Sequence, residues 1–348
     1  MQTNKILWKE EYAGGSEQAE RMLIDGYARQ ILNIQRHIAQ ASNKSPDRTL
    51  HAKVIAGVMN ARFSVSPHLP AELAAGYFQP AASFTATIRF SNASPMHMPD
   101  ARADMRGAAI RVHIGADEFH DFLMTNYPVS HARDAWQFME VAKIATGSKR
   151  LIPLRFIMKF GLGETIRIIK NVRSGSRAIE SIATEQFWSR APLLWGDAGP
   201  VRYTLIPTAA KSGRTANVAD VNDLANELGR RAAQGDIRYT LAVQRYVSAD
   251  KTPIEDGSVE WRESDSPFIS VATVTIPAQD LGSNEALADR QQVDKMAFNP
   301  WNCPLVFRPL GGLNRARKAV YSASAKGWLG TQAEGSGHNN PIHERPPK

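Results

Sequence analysis

Leu313-Asn314-Arg315-Ala316-Arg317-Lys318-Ala319-Val320-Tyr321 is the stretch on which the reading of this chain turns. Read as a helix, it stacks Arg317 over Tyr321, because residues four apart share a face. A cation one turn from a phenol favours the phenolate. A buried tyrosinate has few uses, and one of them is to ligate a ferric haem iron. Taken alone, the nonamer is explained more simply by a surface arginine beside a half-buried tyrosine. What decides between the two is whether partners stand upstream.

The chain has 348 residues, enough to bury a large core. Its hydrophobic share of 43% and charged share of 22% describe an ordinary globular protein. A formal charge of +8 invites an acidic partner or an anionic surface. The basic residues are scattered and carry no recognition motif, so nucleic-acid binding is not expected. The single cysteine, Cys303, excludes an internal disulfide and a Cys-rich metal site. No charged-then-apolar leader and no run of about 18 apolar residues is present, so the expected compartment is the cytoplasm.

Outward from the nonamer, residues 16–41 carry apolar side chains at helical spacing, with Ser16 as a cap. From Arg48 the pattern turns to β. Strands are expected at 53–65, 84–90, 108–114 and 119–125, helices at 132–145 and 153–172, and strands again at 201–207, 237–247 and 268–276. A helix is expected at 218–234. This order suits an antiparallel barrel with flanking helices better than alternating βαβ units. A barrel over about 48–280, a helix over about 313–323 and a disordered polar tail at 331–348 complete one domain over 1–330.

Several upstream residues have chemical potential and an ordinary alternative. His51, at the lip of a strand, is an acid/base candidate or a structural histidine. Arg89 and Ser91 share a face of a strand by simple alternation. Asn126, after an apolar strand and two residues before Pro128, is an amide donor or a turn former. Phe138 is an aromatic cover or core packing.

Taken in order, these motifs resemble the haem catalase superfamily. Arg48-x-x-His51-Ala52-Lys53 is similar to its distal-histidine motif, and Arg89-Phe90-Ser91 to the segment whose serine holds that histidine. Asp104-Met105-Arg106-Gly107 resembles its Asp-Pro-Arg-Gly turn, with Met105 for the proline. Asn126, Pro128 and Arg133-Asp134 match the distal asparagine region. Phe298-Asn299-Pro300-x-Asn302-x-Pro304 and Arg317-x-x-x-Tyr321 match the closing stretch.

The resemblance implies an α+β fold with an eight-stranded antiparallel barrel, a haem b cofactor and a homo-oligomer. It implies Tyr321 as iron ligand with Arg317 beside it, and His51 as the proton carrier for a bound hydroperoxide on the way to a ferryl haem. Asn126 would orient the peroxide and Ser91 would fix the imidazole. Arg48 and Arg89 would pair with the haem propionates, and Phe138 would cover the porphyrin.

The chain also departs from the family pattern. Val54 stands where large catalases have glycine, and Trp328 where a propionate-binding arginine is expected, with Lys326 as a compensating cation. The flavodoxin-like domain of large catalases has no counterpart. Fewer covering elements would admit larger hydroperoxides. Residues 149–177 have no counterpart either. They interleave Arg155, Lys159, Arg167, Lys170 and Arg173 with Leu, Ile, Phe and Met. Such a stretch either lies on an anionic membrane or over a lipid channel, or is a helix with one buried and one solvated face; the second is the simpler reading. Residues 187–197 resemble a segment of small catalase-like proteins, some of which act on lipid hydroperoxides.

The expected function is therefore hydroperoxide cleavage by a haem peroxidase, with hydrogen peroxide or an organic hydroperoxide as substrate and an electron donor the sequence does not name. A hydroperoxide isomerase of the allene oxide synthase kind is the alternative. The apolar Leu50 before His51, where those relatives carry Thr, weighs against it. An inactive haem- or lipid-binding protein is a third reading, opposed by the joint presence of His51, Asn126, Arg317 and Tyr321.

Overall fold

A computed structural model describes residues 7–42, 47–146 and 149–333. Two antiparallel meanders build it. The first runs through β1 (Val54–Val65), β2 (Ser83–Asn92), β3 (Arg106–His113) and β4 (Phe119–Thr125). The second runs through β7 (Pro200–Pro207), β8 (Ile237–Arg245) and β9 (Ile269–Ile276), and β9 returns to β1 with Phe63 opposite Val274. At the other edge the two-residue strand β5 (Phe187–Trp188) pairs with β4 through Thr125–Trp188 and with β7 through Phe187–Leu205. That closes an eight-stranded antiparallel barrel, while β6 (Leu193–Leu194) is a short addition to β7. The expected barrel is present. Its closing strand is too short to carry a periodic signal of its own.

Alternation along the strands decides what the barrel holds and what it displays. Phe63, Ile88, Phe90, Ile110, Phe122, Leu205, Leu241 and Val274 are fully buried in one core. Phe63 and Phe122 stack with centroids 6.1 Å apart, and buried Trp195 donates its Nε1–H to the Leu73 carbonyl at 2.8 Å. The interior is thus filled by side chains, as barrels of this size are. Arg89, Ser91, Gly107 and Thr125 alternate with core residues and face outward. Any site built from them lies on the outer wall.

Seven α-helices lie around this wall among the described residues: α1 (Glu17–Ser42), α2 (Ala135–Ala145), α3 (Ile152–Phe160), α4 (Leu162–Gly175), α5 (Asp223–Gln234), α6 (Asn284–Asp294) and α7 (Gly312–Ala333). The expected single helix over 153–172 is two, because Gly161 adopts φ +77° between them. α5 begins at Asp223 rather than 218, and Asp100 caps it from afar by accepting the Leu224 and Ala225 N–H groups at 3.0 and 3.1 Å. α6 was not legible: only Ala286 and Val293 of its eleven residues are buried. It packs on β1 at Gly57, where an added Cβ would lie 2.8 Å from the Val293 Cβ. α1 crosses α7 where Gln35 donates to the Ser324 carbonyl at 3.2 Å, beside Gly327. α7 runs well past residue 323, so 331–333 are helical; the rest of the expected tail, 334–348, lies outside the described residues.

Candidate active site

One wall of the site is β2 and β3. Ser91 and Gly107 stand opposite each other in register, and the imidazole of His51 lies over the pair. Its Nδ1 is 3.0 Å from Ser91 Oγ. A Cβ at Gly107 would sit 2.5 Å from that same Nδ1 and 2.6 Å from Cε1. The glycine of Asp104-Met105-Arg106-Gly107 is therefore the seat of the ring. His51 itself has φ +60°, a conformation that costs a non-glycine residue about 1 kcal/mol or more and persists only when held. It is held by its own N–H to the Ala93 carbonyl (3.0 Å), by Ala52 N–H to the Ser94 carbonyl (3.1 Å), and by Arg89 Nη2, which donates to the His51 carbonyl at 2.9 Å.

Arg89 is buried and spends the same nitrogen on Asp294 at 2.8 Å. Its charge is thus met by the last residue of α6. Arg48 donates to the Asp294 and Met296 carbonyls at 2.5 and 2.6 Å and lies 4.3 Å over the ring of Trp328. The tryptophan in place of an expected arginine is thus the platform for Arg48, while Lys326 is exposed. Burial lowers Arg48 to about 9, and no carboxylate forms an ion pair with it among the described residues.

The other wall is α7. Arg317 Nη2 donates to the Tyr321 hydroxyl at 3.1 Å, and Nη1 to Asn314 Oδ1 at 3.0 Å. The turn-to-turn pairing read from the nonamer is present. Arg317 is within electrostatic reach of the other wall, since the cations that depress His51 after burial itself are Arg89, Arg190, Arg48 and Arg317. Together they hold its pKa at about 3, so the ring is neutral at physiological pH.

Asn126 is buried and fully oriented. Its Oδ1 accepts the Arg106 N–H at 2.7 Å and its Nδ2 donates to Glu185 at 3.2 Å, which leaves one amide hydrogen. Phe138 is half-buried, its ring centroid 5.0 Å from that of His131.

Two residues with no assigned role in the sequence reading join the chamber. Arg190 donates through Nε to Thr125 Oγ1 at 2.7 Å and through Nη2 to the Met105 sulfur, so the methionine in the proline position has a partner. Burial, then Arg317, lowers it to about 10, and it has no ion pair among the described residues. His131 is pushed down to about 3 by burial, Arg190 and Arg167, and its ring nitrogens have no hydrogen-bond partner among the described residues. Both follow the motifs by a few residues, yet no spacing rule distinguishes them from structural residues.

The donor set fits a ferric porphyrin. A phenol has a guanidinium on its oxygen, a neutral imidazole lies within electrostatic reach of that guanidinium, and two half-buried cations, Arg48 and Arg190, form no ion pair among the described residues and could meet propionates.

The closed antiparallel barrel with its surrounding helices defines a fold class, and comparison with known proteins agrees with it. The catalase family matches residues 22–150. A fungal catalase aligns at TM-score 0.61 and 16% identity, covering 95% of this chain and 67% of its own. Catalase A from Saccharomyces cerevisiae aligns at 0.62 and 15%, covering 94% and 68%. The chain thus spans about two thirds of the length of these relatives. No curated protein matches the sequence. Residues 22–150 thus resemble the catalase family, and the chain as a whole shares the fold of these two catalases.

Proposed function

We propose that this chain is a haem-dependent peroxidase that cleaves organic hydroperoxides, fatty acid hydroperoxides among them, as well as hydrogen peroxide. The observation that carries the reading is the seat of His51: a neutral imidazole hydrogen-bonded to Ser91 over Gly107, in the chamber of Arg317 and Tyr321. Haem b, held by the Tyr321 oxygen, would supply an iron centre that takes up the oxidising equivalents when the O–O bond breaks. With Nδ1–H donated to Ser91 Oγ, His51 Nε2 keeps its lone pair. That atom takes the proton from the inner oxygen of the hydroperoxide and returns it to the outer oxygen as it departs. The remaining N–H of Asn126 steadies that oxygen. Arg317 stabilises negative charge on the Tyr321 oxygen, Arg48 and Arg190 bind the propionates, and Arg89 holds the His51 carbonyl. Phe138, its ring 5.0 Å from that of His131, would cover the porphyrin. A lipid hydroperoxide substrate puts the chain at a membrane, and 149–177 is the segment that meets it.

The test is stopped-flow mixing of the haem-loaded protein with hydrogen peroxide and with a fatty acid hydroperoxide, with oxygen and products recorded. Turnover that depends on an added reductant supports the reading. Oxygen release as the main outcome would make the chain a catalase, and an epoxide formed without reductant would make it an isomerase. Failure to retain haem, or a Tyr321→Phe protein with an unchanged high-spin ferric spectrum, would sink it.

A further inference from the structure

Nineteen large hydrophobic side chains are exposed among the described residues, and nine of them lie between Trp136 and Val172. They are not left out because the helices lack a buried face. Phe156 of α3 and Ile168 of α4 pack with Ile144 in a small core of their own, separate from the barrel. The hairpin has a second apolar face, and nothing among the described residues covers it. Leu154 is 56% exposed, Met158 79%, Leu162 62%, Ile166 58% and Ile169 43%. Leu154 and Met158 are four apart on α3, and Leu162, Ile166 and Ile169 are four and three apart on α4, so each helix carries its own exposed row. Ordinary solvated helices do not carry such a stripe, and contiguous exposed apolar surface marks a partner.

The charges around the stripe say which partner. Arg150, Arg155, Lys170 and Arg173 are exposed, and none forms an ion pair among the described residues. The two acidic residues nearby are already engaged: Glu140 with Lys159 at 3.0 Å, and Glu164 with Arg133 and Arg167. Ile166, Ile169, Lys170, Arg173 and Ser174 line an open groove of about 460 Å³ with an apolar floor and a cationic rim. Trp136, 45% exposed beside Phe160, stands at the edge of the same surface. In a self-complementary contact between two copies the unpaired cations would meet cations. No described helix is long and apolar enough to cross a membrane, so the surface lies on its partner.

We infer that the α3–α4 hairpin is a docking surface for an anionic lipid bilayer, with the apolar stripe inserted between headgroups and the four free cations on lipid phosphates. The docking requires no haem, and it holds whatever reaction the chamber performs. The hairpin is also tied to the chamber wall, since Arg167 donates to the His131 carbonyl at 3.1 Å. A docked hairpin therefore brings the chamber to the surface where apolar hydroperoxides are found.

Co-flotation of the full chain with vesicles tests this. Vesicles of phosphatidylcholine alone are compared with an equimolar mixture of phosphatidylcholine and phosphatidylglycerol. Binding to the mixture, little binding to the neutral vesicles and partial retention at high salt are expected. A basic residue near an anionic surface contributes about fivefold, so Arg155→Gln/Lys170→Gln/Arg173→Gln lowers partitioning on the order of 100-fold. Met158→Asp/Leu162→Asp abolishes the salt-resistant part. Circular dichroism and turnover of a water-soluble hydroperoxide remain unchanged in both variants. Three results overturn the proposal: no binding by the folded full chain, equal binding by all three proteins, or sedimentation showing that Met158→Asp/Leu162→Asp dissociates an oligomer buried on this face.

Discussion

The chamber and the hairpin are both incomplete, in opposite chemical senses. Around His51 the unmet demand is for negative charge: Arg48 and Arg190 are half-buried and form no ion pair among the described residues. On the hairpin it is for apolar contact: Leu154, Met158 and Leu162 face water. Burying an unpaired cation and exposing an apolar stripe each work against folding. The difference teaches what each region is for. Under the function proposed above, the charged, hydrogen-bonded region would hold an anionic cofactor and move a proton, and the apolar face would meet a fluid surface.

The comparison predicts first that chemistry resides on one side only. His51→Ala lowers hydroperoxide turnover by about 10²- to 10⁴-fold, the usual weight of a positioned acid/base, while the Soret band of bound haem persists. No hairpin variant approaches that loss with a soluble substrate. Equal losses from both regions would mean that the hairpin shapes the chamber itself. Gly107→Ala comes next. Its methyl would lie 2.5 Å from Nδ1 and 2.9 Å from Ser91 Oγ, so the imidazole must tip off its seat. A displacement of about 1 Å costs on the order of 10² in rate, with haem content and far-UV dichroism unchanged.

The large features of this molecule were legible because they repeat or align. Strand alternation in 84–90 and 108–114 gave the barrel, and the four-residue step from Arg317 to Tyr321 gave the proximal pairing. What escaped was short, solvated or non-local. β5 closes the barrel with two residues. α6 has two buried side chains, yet its last residue supplies the Asp294 carboxylate to Arg89 and a carbonyl to Arg48, and Met296 just beyond it supplies a second carbonyl to Arg48. Arg190 acquires its meaning from Met105, 85 positions away. In 149–177 the alternating apolar and basic residues were visible, but a satellite core under one face and open water over the other is a matter of packing.

The closed interior supplies a third region against which both incomplete ones are measured. His120 is 1% exposed, held by Tyr77 O–H at 2.8 Å and stacked on Phe122, and burial keeps its pKa at about 3. Since this lies below the unfolded value near 6.5, the unfolded chain takes up a proton that the native chain refuses as pH falls from 6.5 towards 3. Stability present above pH 6.5 is therefore lost across that window, by about 2 kcal/mol at pH 5 from this residue. Chemical denaturation of the wild type and His120→Gln at pH 7.5 and pH 5 should show the gap between them shift by that amount in favour of the variant.

The smallest effect is the one that separates cofactor from fold. Arg190 is a half-buried cation with no ion pair among the described residues, so Arg190→Met should raise the melting temperature of the haem-free protein, a gain of about 1 kcal/mol once its hydrogen bonds to Thr125 and Met105 are subtracted. In the presence of haem the same substitution removes a partner for a carboxylate, so the stabilisation that haem confers should shrink and its affinity fall. The two melting curves then move in opposite directions. Parallel movement would show that Arg190 acts as packing, and that the positive charge in the chamber answers to something other than a propionate.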